Sequence, residues 1–189
     1  MRLIRLAKMQ FRDLQTWIAT YCPIWPVRRI FLMKLGVRVG KGTRIEVGTV
    51  IREDTIIGRY CYIGNGCVFE GHTRVGDGVR IESQCHITSN STIGNYVFIA
   101  PFFASTNDNR MTYRRRGHGQ EFRGVTIEQK ARIAARVTTL PGVVIGEGAI
   151  VGAESLVTKD VRPYVMVRGS PASECEDRQG LLTEDIAIR

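Results

Sequence analysis

"VRVGKGTRIEVGTVIREDTIIGRYCYIG", Val37 to Gly64, decides the fold. From Val39 an aliphatic or aromatic residue returns every six positions: Ile45, Ile51, Ile57, Ile63, Phe69, Val75, Ile81, Ile87, Ile93 and Ile99. Two places before each stands a compact residue, in order Val37, Thr43, Thr49, Thr55, Cys61, Cys67, Thr73, Val79, Cys85, Ser91 and Val97. Glycine or another small residue often follows the aliphatic one, as at Gly58, Gly64, Gly76, Gly94 and Ala100. A helical period of 3.6 cannot produce this spacing, and a strand period of two would not impose the glycines.

A six-residue unit is a short strand and a sharp turn. Alone it cannot bury its aliphatic residue, but stacked units can. The expected fold is all-β: a left-handed parallel β-helix of six-residue repeats, three to a turn. Residues eighteen apart then stack in columns. Val50, Val68, His86 and Ala104 form one outward column, and Asp54, His72, Asn90 and Asp108 form another at a corner.

The beat fails between Ile99 and Ile127, a gap of 28 that is not a multiple of six. It resumes at Ile127, Ile133, Thr139, Ile145, Val151 and Val157, where only Thr139 breaks the apolar rule. "STNDNRMTYRRRGHGQEF", Ser105 to Phe122, is therefore a tethered excursion. The chain divides into a helical N-terminal extension (1–36), the β-helix (37–162) with an excursion loop (105–124), and a C-terminal tail (163–189). In the extension, Leu6, Phe11, Leu14, Ile18 and Tyr21 make an imperfect helical stripe. Pro23 and Pro26 interrupt it, and "VRRIFLMKLG" reads as a second short helix stopped by Gly36. These helices either cap the first coil or touch an acidic membrane, since Trp17, Trp25 and Phe31 lie near Arg28, Arg29 and Lys34.

The formal net charge is +9, which favours anionic partners. No nucleic-acid motif of fixed spacing is present and aromatics do not interleave with the bases, so nucleic acid is not the expected partner. The five cysteines form no C-x-x-C pair and follow no secretory leader, which suits reduced thiols in the cytoplasm. The three histidines, His72, His86 and His118, have no close spacing, and no metal is expected. His86 is the polar member of a small, apolar column, as a subunit interface with one reactive group would be. The loop offers Asn107 and Asp108 at its start, then Arg110, Arg114, Arg115 and Arg116, whose guanidinium groups suit phosphate oxygens.

"IGRYCYIG" (57–64), "VTTLPGVVIGEGAIVGAESLVTKDV" (137–161) and "PYVMVRGSPAS" (163–173) resemble the hexapeptide-repeat acyltransferases. The resemblance implies a homotrimer that uses acetyl-CoA, or another acyl-CoA, held in the cleft between neighbouring prisms. "YVFIAPFFASTNDNR" (96–110) looks most like the nucleotide-sugar N-acetyltransferases of surface-polysaccharide synthesis, which implies Asn107 at the reaction centre and acylation of a sugar amine. "RRIFLMKLGVRVGKGTRI" (28–45) is closer to exopolysaccharide O-acetyltransferases. A hydroxyl acceptor would want a base, and His86 is then the candidate. The remaining alternative is a non-catalytic β-helix interaction subunit. The resemblance also implies backbone N–H groups for the thioester oxygen at Ala134 and Ala135. It assigns Lys159, Arg162 and Arg168 to the CoA phosphates, and the loop arginines to a sugar nucleotide.

Overall fold

The computed structural model describes residues 2–109 and 122–175, with side chains from Phe11 onward. Two helices, α1 (Arg2–Tyr21) and α2 (Trp25–Lys34), precede a run of two- and three-residue strands. The strands stack into three sheets, one per side of a prism, the parallel β-solenoid consistent with the expected left-handed β-helix. Up to the excursion, neighbours in a sheet are eighteen residues apart, as in Arg38 to Ile56 and Ile57 to Val75. All pairings are parallel except the last, where Met166–Arg168 folds back against Ser173–Glu174 and finishes one sheet with a hairpin.

The six-residue beat is the core. Ile45 through Ile99 and Ile127 through Val157 are buried at every sixth position, and the compact residues two places earlier are buried beside them. Several of these compact residues are polar because each has a carbonyl to reach. Thr43, Thr49, Cys61, Cys67 and Cys85 donate to the carbonyls of Gly58, Gly64, Gly76, Glu82 and Ala100, fifteen residues on in each case. A hydroxyl or thiol in this slot thus ties one coil to the next, except at Thr55, whose buried Oγ1 has no partner among the described residues. The glycines that follow the aliphatic residues serve a close approach between coils. A Cβ on Gly58 would collide with the Gly76 carbonyl. Positive φ falls elsewhere, at the corner residue before the compact one, and Asp54, His72 and Asn90 adopt it at +55°, +50° and +61°.

Ile93 pairs with Val75, eighteen residues back, and with Ile127, thirty-four ahead. Thirty-four less eighteen leaves sixteen residues that depart from the solenoid without disturbing its register. Ser105 is not among them. Ala104–Ser105 is still a strand, and Ser105 fills the ladder position between Ile87 and Thr139.

The helices close the open end of the first coil. Arg28, which the membrane alternative would set at a lipid surface, is buried, as the capping alternative requires. Its guanidinium donates to the Ala19 carbonyl (2.9 Å) in α1 and to the Ile45 and Glu46 carbonyls (3.0 and 2.8 Å) in the coil. Trp25 and Phe31 pack against the core cluster. The second helix also starts earlier than its prolines suggest, at Trp25, with Pro26 in the first turn. There the missing N–H would have had no helical partner anyway.

Candidate active site

The expected columns exist. Val50, Val68, His86 and Ala104 are consecutive neighbours on one face of the prism, and Thr138 and Leu156 continue the row. His86 is half exposed, and its Nε2 lies 3.1 Å from Glu70 Oε1. Sequence reasoning missed Glu70. It stands just after the ladder residue Phe69, one coil below, so column arithmetic could have found it. With Nε2–H donated to Glu70, Nδ1 is left with a lone pair and could take a proton.

Asn107 stands where the chain leaves the solenoid. Thr106 makes the last ladder contact, its N–H and Oγ1 both donating to the Thr139 carbonyl (3.1 and 2.8 Å). The Asn107 carbonyl then accepts from Arg123 N–H at 3.1 Å, and Asn90 Nδ2 donates to the Phe122 carbonyl at 2.9 Å. The first bond joins the departing and returning segments of the excursion, and the second ties the returning segment to the coil below. Asn107 Nδ2 donates to Ser89 Oγ (2.9 Å), the residue stacked beneath it. That bond fixes the amide and leaves Oδ1 as an acceptor for an N–H or O–H group. Asp108 is half-buried beside it. Arg110, Arg114, Arg115 and Arg116 lie outside the described residues.

His86 and Asn107 belong to adjacent coils on one side but do not meet, Asn107 lying past the end of the strand Ala104–Ser105. His86 pairs with Ala104, so Asn107 is three residues further along, about 10 Å at the rise of a strand. Between them the ladder itself is altered. In lower coils Arg52 and Glu70 donate their N–H groups to the carbonyls of Phe69 and Ile87. At the next rung the Thr88 N–H goes instead to the Ser105 hydroxyl (2.8 Å), which also lies 2.9 Å from Thr88 Oγ1. Directly above, Thr139 Oγ1 is buried and has no partner among the described residues. This face gives up two apolar ladder positions at the rung where the loop leaves.

The residues implied for the donor divide on inspection. Ala134 cannot offer its amide, because the ladder has taken it: the N–H donates to the Val151 carbonyl at 2.9 Å. Ala135 is the better placed of the pair. Arg59, Asp77 and Glu147 occupy the same place in their coils, and the side chains of Asp77, Asn95 and Glu128 accept from their amides. Above Ala135, eighteen residues on, stands Ala153, which has no such acceptor. Arg162 is held by both carboxylate oxygens of Glu174, at 2.9 and 2.7 Å, so a phosphate would have to compete for it. Lys159 and Arg168 are exposed near the last coils, at opposite ends of the segment 159–168. No group of three metal-ligating side chains occurs among the described residues.

Residues 36–71 and 72–102 match the bacterial transferase hexapeptide (six repeats). A chloramphenicol acetyltransferase of Morganella morganii is 48% identical over 46 residues, 24% of this chain and 22% of that protein. One from Escherichia coli is 44% identical over the same length. The alignments thus span about a fifth of the length of these curated relatives. Among solved structures, AntD, an N-acyltransferase from Bacillus cereus, in a mutant complex with dTDP and coenzyme A, superposes with a TM-score of 0.62 at 22% identity, covering 78% of this chain and 88% of that one. The acetyltransferase domain of PglB from Neisseria gonorrhoeae, in complex with acetyl coenzyme A, gives 0.58 at 17%, over 79% and 66%. The hexapeptide-repeat acetyltransferase VCA0836 of Vibrio cholerae gives 0.57 at 22%, over 89% of both chains. At these identities the likeness is one of fold, and the fold is the one the repeats imply.

Proposed function

We propose that this hexapeptide-repeat β-solenoid is a CoA-dependent acyltransferase that moves an acetyl group to an amine of a sugar or nucleotide-linked sugar. The observation that carries the reading is Asn107 at the foot of the excursion, its Nδ2 tied to Ser89 and its Oδ1 left to accept. The hexapeptide repeat and the folds of CoA-bound relatives support the donor.

Acyl transfer to an amine needs little more than position. A neutral amine is already a nucleophile, and its attack on a thioester is helped chiefly by alignment. Asn107 Oδ1 accepts one N–H of the amine and so directs the nitrogen lone pair at the thioester carbon. The C–N bond forms as the carbonyl oxygen takes negative charge. Ala135 lies at the other edge of this prism side from Asn107 in one chain, so its N–H would meet that charge from the neighbouring subunit of the homotrimer. The C–S bond then breaks, CoA leaves as the thiol and the nitrogen gives up a proton. Lys159 and Arg168 bind CoA phosphates, and the loop arginines bind the acceptor's diphosphate.

A second reading has its own observation. The Glu70 carboxylate at His86 Nε2 leaves Nδ1 able to take the proton of a sugar hydroxyl, as an O-acetyltransferase requires. The row of Val50, Val68, Ala104 and Leu156 around His86 supports a homotrimer in which this face meets a neighbour.

The test is thiol release from acetyl-CoA with a panel of amino- and hydroxy-sugar nucleotides. N107A should lose more activity than H86A on an amino sugar. Loss of turnover in H86A alone would favour the O-acyl reading. Neither CoA binding nor release with any acceptor would end both.

A further inference from the structure

α1 is amphipathic in the opposite sense to a capping helix. A helix that caps a core normally turns its bulky apolar face inward. At about 100° per residue, Phe11, Leu14, Trp17, Ile18 and Tyr21 share one side of α1, while Thr16, Ala19 and Thr20 share the other. It is the second side that docks. Ala19 and Thr20 are buried, their carbonyls accept from Arg28 and from the Gly48 N–H, and Arg12 reaches Glu53. Phe11, Leu14, Trp17 and Tyr21 are all more than half exposed. Of the thirteen large apolar side chains exposed among the described residues, seven lie between Phe11 and Met33. α2 docks in the usual sense through Leu32, Trp25 and Phe31, and still leaves Ile30 and Met33 exposed.

The charge pattern selects the occupant. Arg2, Arg5 and Lys8 supply three positive charges to the first half of α1, and its sequence holds no acidic residue before Asp13. The stripe itself includes Trp17 and Tyr21, with ring centroids 6.2 Å apart. Rings with an apolar body and a polar tip favour the boundary between headgroups and acyl chains. No described helix is long and apolar enough to cross a membrane. We propose that α1 lies in the plane of an acidic lipid surface, its apolar stripe among the acyl chains and its basic residues on the headgroup phosphates. Of the residues the sequence singles out, Trp17 belongs to this stripe, whereas Arg28, Trp25 and Phe31 pack into the cap.

Co-sedimentation of the full chain with phosphatidylcholine vesicles, with and without phosphatidylglycerol, tests this. The protein should pellet with the acidic vesicles only, release as salt rises, and show a blue shift in tryptophan emission on binding. The double variant L14Q/W17Q, altered at exposed positions, should bind the acidic vesicles about tenfold less, as loss of two inserted side chains implies. Three results would overturn the proposal: no pelleting of the unaltered protein with acidic vesicles, equal pelleting with neutral ones, or undiminished binding by the double variant. If L14Q/W17Q instead changes the oligomeric state in lipid-free solution, the stripe faces another copy of this chain and the proposal also fails. Thiol release from acetyl-CoA should be unchanged in the double variant, so this test is independent of the acyl-transfer reading.

Discussion

Two sides of the same prism obey one register and differ in what they bury. On one, the inward column runs Ile57, Val75, Ile93, Ile127 and Ile145, apolar without exception. On the other it runs Ile51, Phe69, Ile87, Ser105, Thr139 and Val157. Sixteen residues leave the solenoid between these two sides, and the first column does not register the loss. The second does, with Ser105 and Thr139 in place of apolar ladder residues and a hydroxyl replacing a carbonyl in the ladder. An unpaired buried hydroxyl occurs on each of the two sides, at Thr55 and Thr139, among the described residues. A solenoid can evidently place its irregularity on one face and keep the others as scaffold. The irregular face is also the one that carries His86, Ser89 and Asn107.

That contrast can be broken first at its stable end. Ile93→Ala should destabilise by about 2–5 kcal/mol in a denaturant titration, the range for a truncated core aliphatic. Arg28→Ala comes next. It strips the donors from three carbonyls at the cap and should cost about 3 kcal/mol, taking the low end of the cost per unsatisfied group. Thr139→Val should go the other way, raising Tm or leaving it unchanged, because it removes a buried hydroxyl that has no partner. A loss as large as that of Ile93→Ala would show that the hydroxyl is needed and that the two faces are packed alike.

The smallest effect concerns pH. The Arg59 guanidinium holds the Asp77 carboxyl below its ordinary range, and Asp77 also accepts from the Arg59 N–H. A depressed carboxylate stabilises the fold above its unfolded pKa, about 4, and the contribution is lost as pH falls through the lower folded value. Asp77→Asn should therefore narrow the difference in Tm between neutral and acid pH, with little change at the acid end.

The pitch, the columns and the excursion were legible because each depends on side-chain size at fixed spacing. A residue of the wrong size at Ile57 or Ile93 would disturb two coils at once, so the chain keeps the pattern strictly. What escaped was set by contacts that spacing does not encode. Ser105 does not look like a ladder residue, since its place depends on Thr88, seventeen residues away, rather than on its own polarity. Arg28 reads as surface charge until three carbonyls are seen to converge on it. The Ala134 amide seems available until Val151 is placed above it. Glu70 is the exception: its place one coil below His86 follows from the columns, and only its contact with the imidazole had to be seen.

The central claim rests on Asn107 and the donor it would serve. The most direct measurement is acetyl-CoA-dependent thiol release with an amino-sugar nucleotide panel, run on the unaltered protein, N107A and H86A. The account predicts turnover with at least one amino acceptor, a loss of about 100-fold in N107A, in line with the cost of a misplaced reactant, and a smaller loss in H86A. Full activity in N107A, or no CoA binding and no thiol release with any acceptor, would contradict it.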